Sequence, residues 1–125
     1  MKPNITLEKA KELSIIKWKL IINNNGSFGL EQRNNPAIKN IKHNCGFCER
    51  WHINDDTDGV ERSGCDCNSC EFAKAMGTDC NKDNSLFDQW CNDELFGGTP
   101  KKLAQLILDI IKEIPTTNAN TNSNN

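Results

Sequence analysis

Two short motifs carry the chemistry that can be read from this chain. Cys45-Gly46-Phe47-Cys48 and Cys67-Asn68-Ser69-Cys70 are C-x2-C pairs separated by eighteen residues. That separation suits a four-cysteine zinc site. Two intervening residues let the backbone turn tightly enough to aim both sulfurs at one ion, and the longer stretch brings the second turn round to complete a tetrahedron. Cys80 follows ten residues after Cys70 and is a fifth candidate ligand, so the spacing alone leaves open which four of Cys45, Cys48, Cys67, Cys70 and Cys80 bind. Cys70 is expected to open a helix, where backbone N–H groups favour thiolate charge. Zinc is favoured over an iron–sulfur cluster on the preference of tetrahedral sulfur sites.

Other readings of these cysteines fit less well. Gly46, Asp66, Asn68 and Ser69 are turn formers rather than neighbours in an apolar core, and a redox C-x2-C belongs to a strand–helix transition of an α/β sheet that the pattern lacks. Seven cysteines, an odd number, also suit a complete disulfide framework poorly. Cys91 lies beside Trp90 on an expected helix and reads as core; Cys65 is an additional thiol near the second pair. His43 and His52 could each replace a cysteine, but the thiols already oversupply four positions.

Asn54, Asp56, Asp58 and Gly59 imitate the start of a calcium-binding loop, yet Cys65 stands where the bidentate Glu is needed. A hairpin turn at Asp58-Gly59, between Trp51-His52-Ile53 and Val60-Glu61-Arg62, is the better reading. No nucleophile triad, HExxH, phosphate-binding glycine loop or zinc-deaminase set is present. A four-cysteine site keeps no coordination position for water, so no enzymatic activity is expected.

The elements that must position these groups are mainly helical. Leu7, Ala10, Leu13, Ile16, Leu20 and Ile21 recur at three- and four-residue steps and predict a helix over 6–22, ended by Asn23-Asn24-Asn25-Gly26. Thr99 can cap a last helix over 100–114, with Pro100 at its first position and Pro115 after it. Leu103, Leu106, Ile107, Ile110, Ile111 and Ile114 form its apolar stripe, expected to pack in the core. Shorter helices are expected over Cys70–Met76, closed by Gly77, and after Ser85 with Leu86, Phe87, Trp90 and Leu95. The expected fold class is thus mainly α, with a small cysteine-ligated zinc module over 43–91, one short β-hairpin and low regular β content. Residues 1–115 read as a single domain. The Asn/Thr-rich tail at 116–125 has nothing to bury and is expected to be disordered.

From His43 to Trp90 the order C-x2-C, Asp66-Cys67-x2-Cys70, Gly77-x2-Cys80 and a Trp ten residues on resembles small cysteine-rich proteins of unassigned function encoded by tailed bacteriophages and prophages. The flanks, a Trp-bearing helix over Ser14–Trp18 and an Ala/Leu/Ile helix over Leu103–Ile114, agree. Two positions depart from that pattern: Glu71 stands where proline is common after the fourth cysteine, and Cys65 is extra. The resemblance implies a metal-supported accessory protein, with no reaction to carry over.

Composition and charge bound the partners. Hydrophobic residues make up 36% of the 125, and mean hydropathy is −0.67, so burial needs the supplement a metal would supply. Lysines interrupt the apolar positions near the N-terminus and no segment has membrane-spanning length, so a cytoplasmic protein, in the host if phage-encoded, with no membrane partner is expected. Residues 53–95 carry three basic against eleven acidic side chains, net −8. An acidic face including Asp55, Asp56 and Asp58 is therefore the expected contact for an as yet unidentified protein partner. The competing expectation is a zinc-ribbon-like nucleic-acid-binding protein using a basic strip of Arg33, Lys39, Lys42 and Arg50 with Trp51, which the acidic middle disfavours.

Overall fold

The computed structural model describes residues 3–39, 46–55, 62–65, 69–78, 82–96 and 98–116. Among these the chain is mainly helical, with α1 at Leu7–Asn23, α2 at Leu30–Arg33, α3 at Gly46–Trp51, α4 at Glu71–Met76, α5 at Leu86–Phe96 and α6 at Pro100–Glu113. Two short strands, β1 (His52–Asp55) and β2 (Arg62–Cys65), form one antiparallel pair. None of the described helices is long and apolar enough to cross a membrane.

The ends of α1 follow from side chains in its own sequence. Thr6 caps the N-terminus by accepting the Lys9 N–H at 3.1 Å, and Glu8 places a negative charge in the first turn, where the helix dipole favours it. At the other end Asn25 (φ 58°) and Gly26 (φ 92°) take left-handed conformations that stop the helix. Gly26 is required for a second reason: a Cβ there would strike the Pro100–Lys101 backbone. Its carbonyl accepts the Trp90 indole N–H at 2.8 Å, so one turn joins the end of α1 to α5 and to the start of α6.

The core lies where α1, α5 and α6 meet. Trp18, fully buried, stands edge-on to Trp90 (centroids 4.9 Å apart, 78°) and to Phe87 (6.1 Å, 89°), geometry that suits the aromatic quadrupoles. Ala10 and Ile21 of α1 and Ala104, Ile107, Leu108, Ile111 and Ile114 along α6 belong to it, and the same buried cluster continues through Phe47, Cys48 and Trp51 of α3 to Cys70, Phe72 and Ala73 at α4. The inward face of α6 is thus 104, 107, 108 and 111, the i, i+3, i+4, i+7 set of one helical face. This corrects the single stripe expected from the sequence: Leu106 and Ile110 lie about 100° away from Ile107 and Ile111. Leu106 is 43% exposed and Ile110 half-buried.

Asp93 ties α5 to α6, accepting the Thr99 N–H at 3.0 Å and its hydroxyl at 3.3 Å. Lys11 reaches from α1 to the far end of α6 and donates to the carbonyls of Lys112 (2.9 Å) and Ile114 (2.7 Å), which have no acceptor role inside the helix.

In the hairpin His52 faces Cys65, Ile53 Gly64, Asn54 Ser63 and Asp55 Arg62. This register is symmetric about the Asp58–Gly59 peptide, the place where the sequence predicts the turn, although residues 56–61 lie outside the described set. The expected first strand shifts by one residue, to His52–Asp55, because Trp51 is the last residue of α3; of the expected Val60-Glu61-Arg62 only Arg62 falls in β2, which runs on to Cys65, with residues 60 and 61 outside the described set.

Candidate metal centre

The first C-x2-C turn is seated on α1 by a buried serine. The Ser14 hydroxyl donates to the Ala10 carbonyl at 2.8 Å and accepts the Gly46 N–H at 2.9 Å. Gly46 approaches α1 so closely that a Cβ would meet the Ala10 carbonyl and the Ser14 hydroxyl. The glycine of Cys45-Gly46-Phe47-Cys48 is therefore demanded by packing, and the relay satisfies an N–H that would otherwise be orphaned at the start of α3. Asn4 closes the other end of α3, donating its amide to the carbonyls of Glu49 (3.0 Å) and His52 (3.1 Å), while its own N–H donates to the Arg50 carbonyl at 2.8 Å.

The second turn is held against the first through residues that flank the cysteines. Phe47 stacks on Phe72 with centroids 6.0 Å apart and planes 22° from parallel. Glu71, at the first position of α4, accepts the Trp51 indole N–H at 2.8 Å and the Arg50 Nε–H at 3.2 and 3.3 Å, and Arg50 Nη2 lies 3.1 Å from its other oxygen. Burial pushes the Glu71 carboxyl up, but the Trp51 and Arg50 hydrogen bonds, its own backbone N–H and the guanidinium charge outweigh that and hold it below the usual carboxylate range. Arg50 also donates to the Ile5 carbonyl at 2.6 Å and lies 4.9 Å from the centre of the Trp51 ring.

Two of the expected ligands are buried on these segments. Cys48 on α3 is 7% exposed and Cys70, the N-cap of α4, is 2% exposed; both belong to the same buried cluster as Phe47, Trp51 and Phe72. The hairpin returns the chain from α3 toward the second pair, since β2 ends at Cys65, two residues before Cys67. Cys45, Cys67 and Cys80 lie outside the described residues, as do His43, Lys42, Asp56 and Asp58; Asp55 pairs with Arg62 in the hairpin. Among the described residues no three His, Cys, Asp or Glu side chains gather so as to hold a metal ion.

Cys91 is set apart chemically. It is a half-buried thiol on α5, pushed toward the protonated form by burial and by the carboxylates of Glu94 and Asp88, against a smaller opposing influence of Lys17. A thiol so biased is a poor ligand and a poor nucleophile. Of the basic strip, Lys39 and Arg33 are exposed, whereas the Arg50 guanidinium is engaged by Glu71, Ile5 and Trp51.

Sequence reasoning missed Ser14, Asn4 and Glu71 as supports of the cysteine turns. A serine one turn after Ala10 and one turn before Trp18 was a usable signal, as was a carboxylate directly after Cys70. Comparisons with models of known families, with curated proteins and with solved structures give no match for this chain.

Proposed function

We propose that the chain is a non-catalytic, zinc-stabilised protein-interaction module, an accessory protein of the bacteriophage or prophage kind that works in the host cytoplasm. The observation that carries this reading is the interlocking of α3 and α4: the second cysteine of each C-x2-C pair is buried in one cluster, and Glu71, Arg50, Trp51, Phe47 and Phe72 clamp the two segments together. Two buried thiols, Cys48 and Cys70, on segments that these contacts join, with Cys45 and Cys67 three residues before each in the sequence, form a donor set whose chemistry suits zinc. Cys45, Cys48, Cys67 and Cys70 would hold the ion, with Cys80 as the substitute donor. Its role would be structural, supplying folding energy to a chain with a modest core. The hairpin that follows α3 would present Asp55, Asp56 and Asp58 to a basic protein surface.

The test is metal analysis of the full chain purified under reducing conditions. About one zinc per chain is expected, falling together with thermal stability in Cys48→Ser and Cys70→Ser but unchanged in Cys91→Ser. A well-folded sample without metal would overturn the reading. The acidic contact is tested by reversing Asp55, Asp56 and Asp58 to Lys, which should slow association with the partner while leaving zinc content intact. Tight binding of duplex DNA, single strands or RNA by the wild type at physiological salt would favour a nucleic-acid role instead.

A further inference from the structure

The outer side of α6 carries one large apolar residue, Leu106, that stands apart from the core, with Ile110 and Ile114 at the core's edge beside it. Leu106 is 43% exposed although it belongs to a helix whose inward face is already complete. Beside it a groove of about 550 Å³ runs between α4, the start of α5 and α6, walled by Ala75, Leu86, Leu106, Ile110, Ile114 and Pro115. That volume is ordinary for a binding cleft, and clustered apolar walls on a surface mark places where another molecule docks.

The rim indicates what that molecule is. Glu71 reaches the rim, but its carboxylate is matched by the Arg50 guanidinium and adds no net charge. Lys74 remains on the α4 side, while Asp109 and Glu113, one turn apart, make the α6 side acidic. An extended peptide would press unpaired N–H and C=O groups against walls that are helices with their own backbone bonds made, whereas a helix brings its backbone already satisfied. The chain's own last residues, Thr, Asn and Ser with one Ala, contain nothing to fill an apolar furrow.

We infer that the α4–α6 groove is a docking site for an amphipathic helix of a partner protein, with apolar residues at helical spacing and Lys or Arg along the flank that meets Asp109 and Glu113. This surface is distinct from the acidic hairpin and does not depend on the metal reading.

The experiment uses full-length protein of measured metal content as bait for a displayed library of helical peptides. Selection is run at physiological ionic strength with counter-selection against Leu106→Asp. Recovered binders should show apolar residues at i, i+3 or i+4 and i+7 with basic residues enriched on one flank. Their affinity should fall at least about tenfold for Leu106→Asp, for Ala75→Arg, which closes the groove from the α4 side, and for the Asp109→Lys/Glu113→Lys pair. Circular dichroism and metal content identify any variant that has unfolded, and Ala75→Arg and Leu106→Asp enter from different helices. The Asp55, Asp56 and Asp58 reversal should leave this binding unchanged, so the two surfaces can fail separately. Failure to recover binders, binders indifferent to Leu106→Asp and Ala75→Arg, or binders without the basic flank would each overturn the proposal. A dimer in sedimentation equilibrium that Leu106→Asp disperses would assign the groove to a second copy and overturn it as well.

Discussion

Ser14 shows how a single hydroxyl can decide the position of a distant loop. It spans the Ala10 carbonyl and the Gly46 N–H in a fully buried site, so Ser14→Ala leaves that N–H without a partner and should cost about 1–2 kcal/mol in denaturant unfolding. Gly46→Ala meets a backbone carbonyl rather than a yielding side chain and should cost about 1–3 kcal/mol or more. If the proposed zinc site exists and α1 positions its first cysteine segment, both variants should also release zinc at lower chelator concentration than wild type. Glu71 is the corresponding residue of the second turn. Its carboxylate serves Arg50 and Trp51 at once with only about a fifth of the side chain exposed, so Glu71→Ala should cost about 2 kcal/mol and alter the Trp51 contribution to fluorescence. Unchanged stability in Glu71→Ala would mean that Phe47 and Phe72 alone hold the two segments. None of these three roles was readable from periodicity, because each depends on a partner thirty or so residues, or twenty residues, away.

At the scale of elements, α1, α4, α5 and α6 were legible in the sequence, whereas α2 and α3 were not. Helix α1 announced itself by its cap, its three- and four-residue apolar steps and its Asn/Gly stop, and α6 by Thr99, Pro100 and its aliphatic run. Helix α3 was not foreseen. Six residues cannot sustain a helix by propensity, and Gly46–Trp51 is helical because Ser14 satisfies its first N–H and Asn4 its last carbonyls. Helix α6 was placed correctly and Ile107, Ile111 and Ile114 are core as expected, but Ala104 and Leu108 join them while Leu106 faces outward, because its sequence has six large aliphatics across more than one face and only packing against α1 and α5 selects which become core. The C-terminus of α6 depends on Lys11, so Lys11→Met should lower stability by about 1 kcal/mol and increase amide exchange at the last turn of α6, leaving metal content unchanged. Equal exchange rates in the two proteins would show that these two hydrogen bonds do not hold the helix end.

For the whole molecule, the three tryptophans belong to one buried core and report on different contacts within it. Trp18 and Trp90 face one another in the α1–α5–α6 core, whereas Trp51 bonds to Glu71 between the cysteine turns. If zinc binds as proposed, chelation should perturb the Trp51 emission first, and in Trp51→Phe the residual signal from Trp18 and Trp90 should lag behind zinc release. Simultaneous loss of both signals would mean that the helical core cannot persist without the metal. The residue types and spacings by themselves determined the candidate ligands, the ends of the long helices, the presence of a hairpin after α3 and the acidic bias of the middle, because capping, strand pairing across a short loop and charge are local properties. Tertiary structure alone decided that Cys48 and Cys70 share one buried cluster, that Glu71 rather than a loop contact clamps their turns, and that Leu106 faces outward beside an apolar groove. Those outcomes depend on which surfaces of separate helices meet, and many sequence patterns compatible with the same helices leave that choice open until the helices pack.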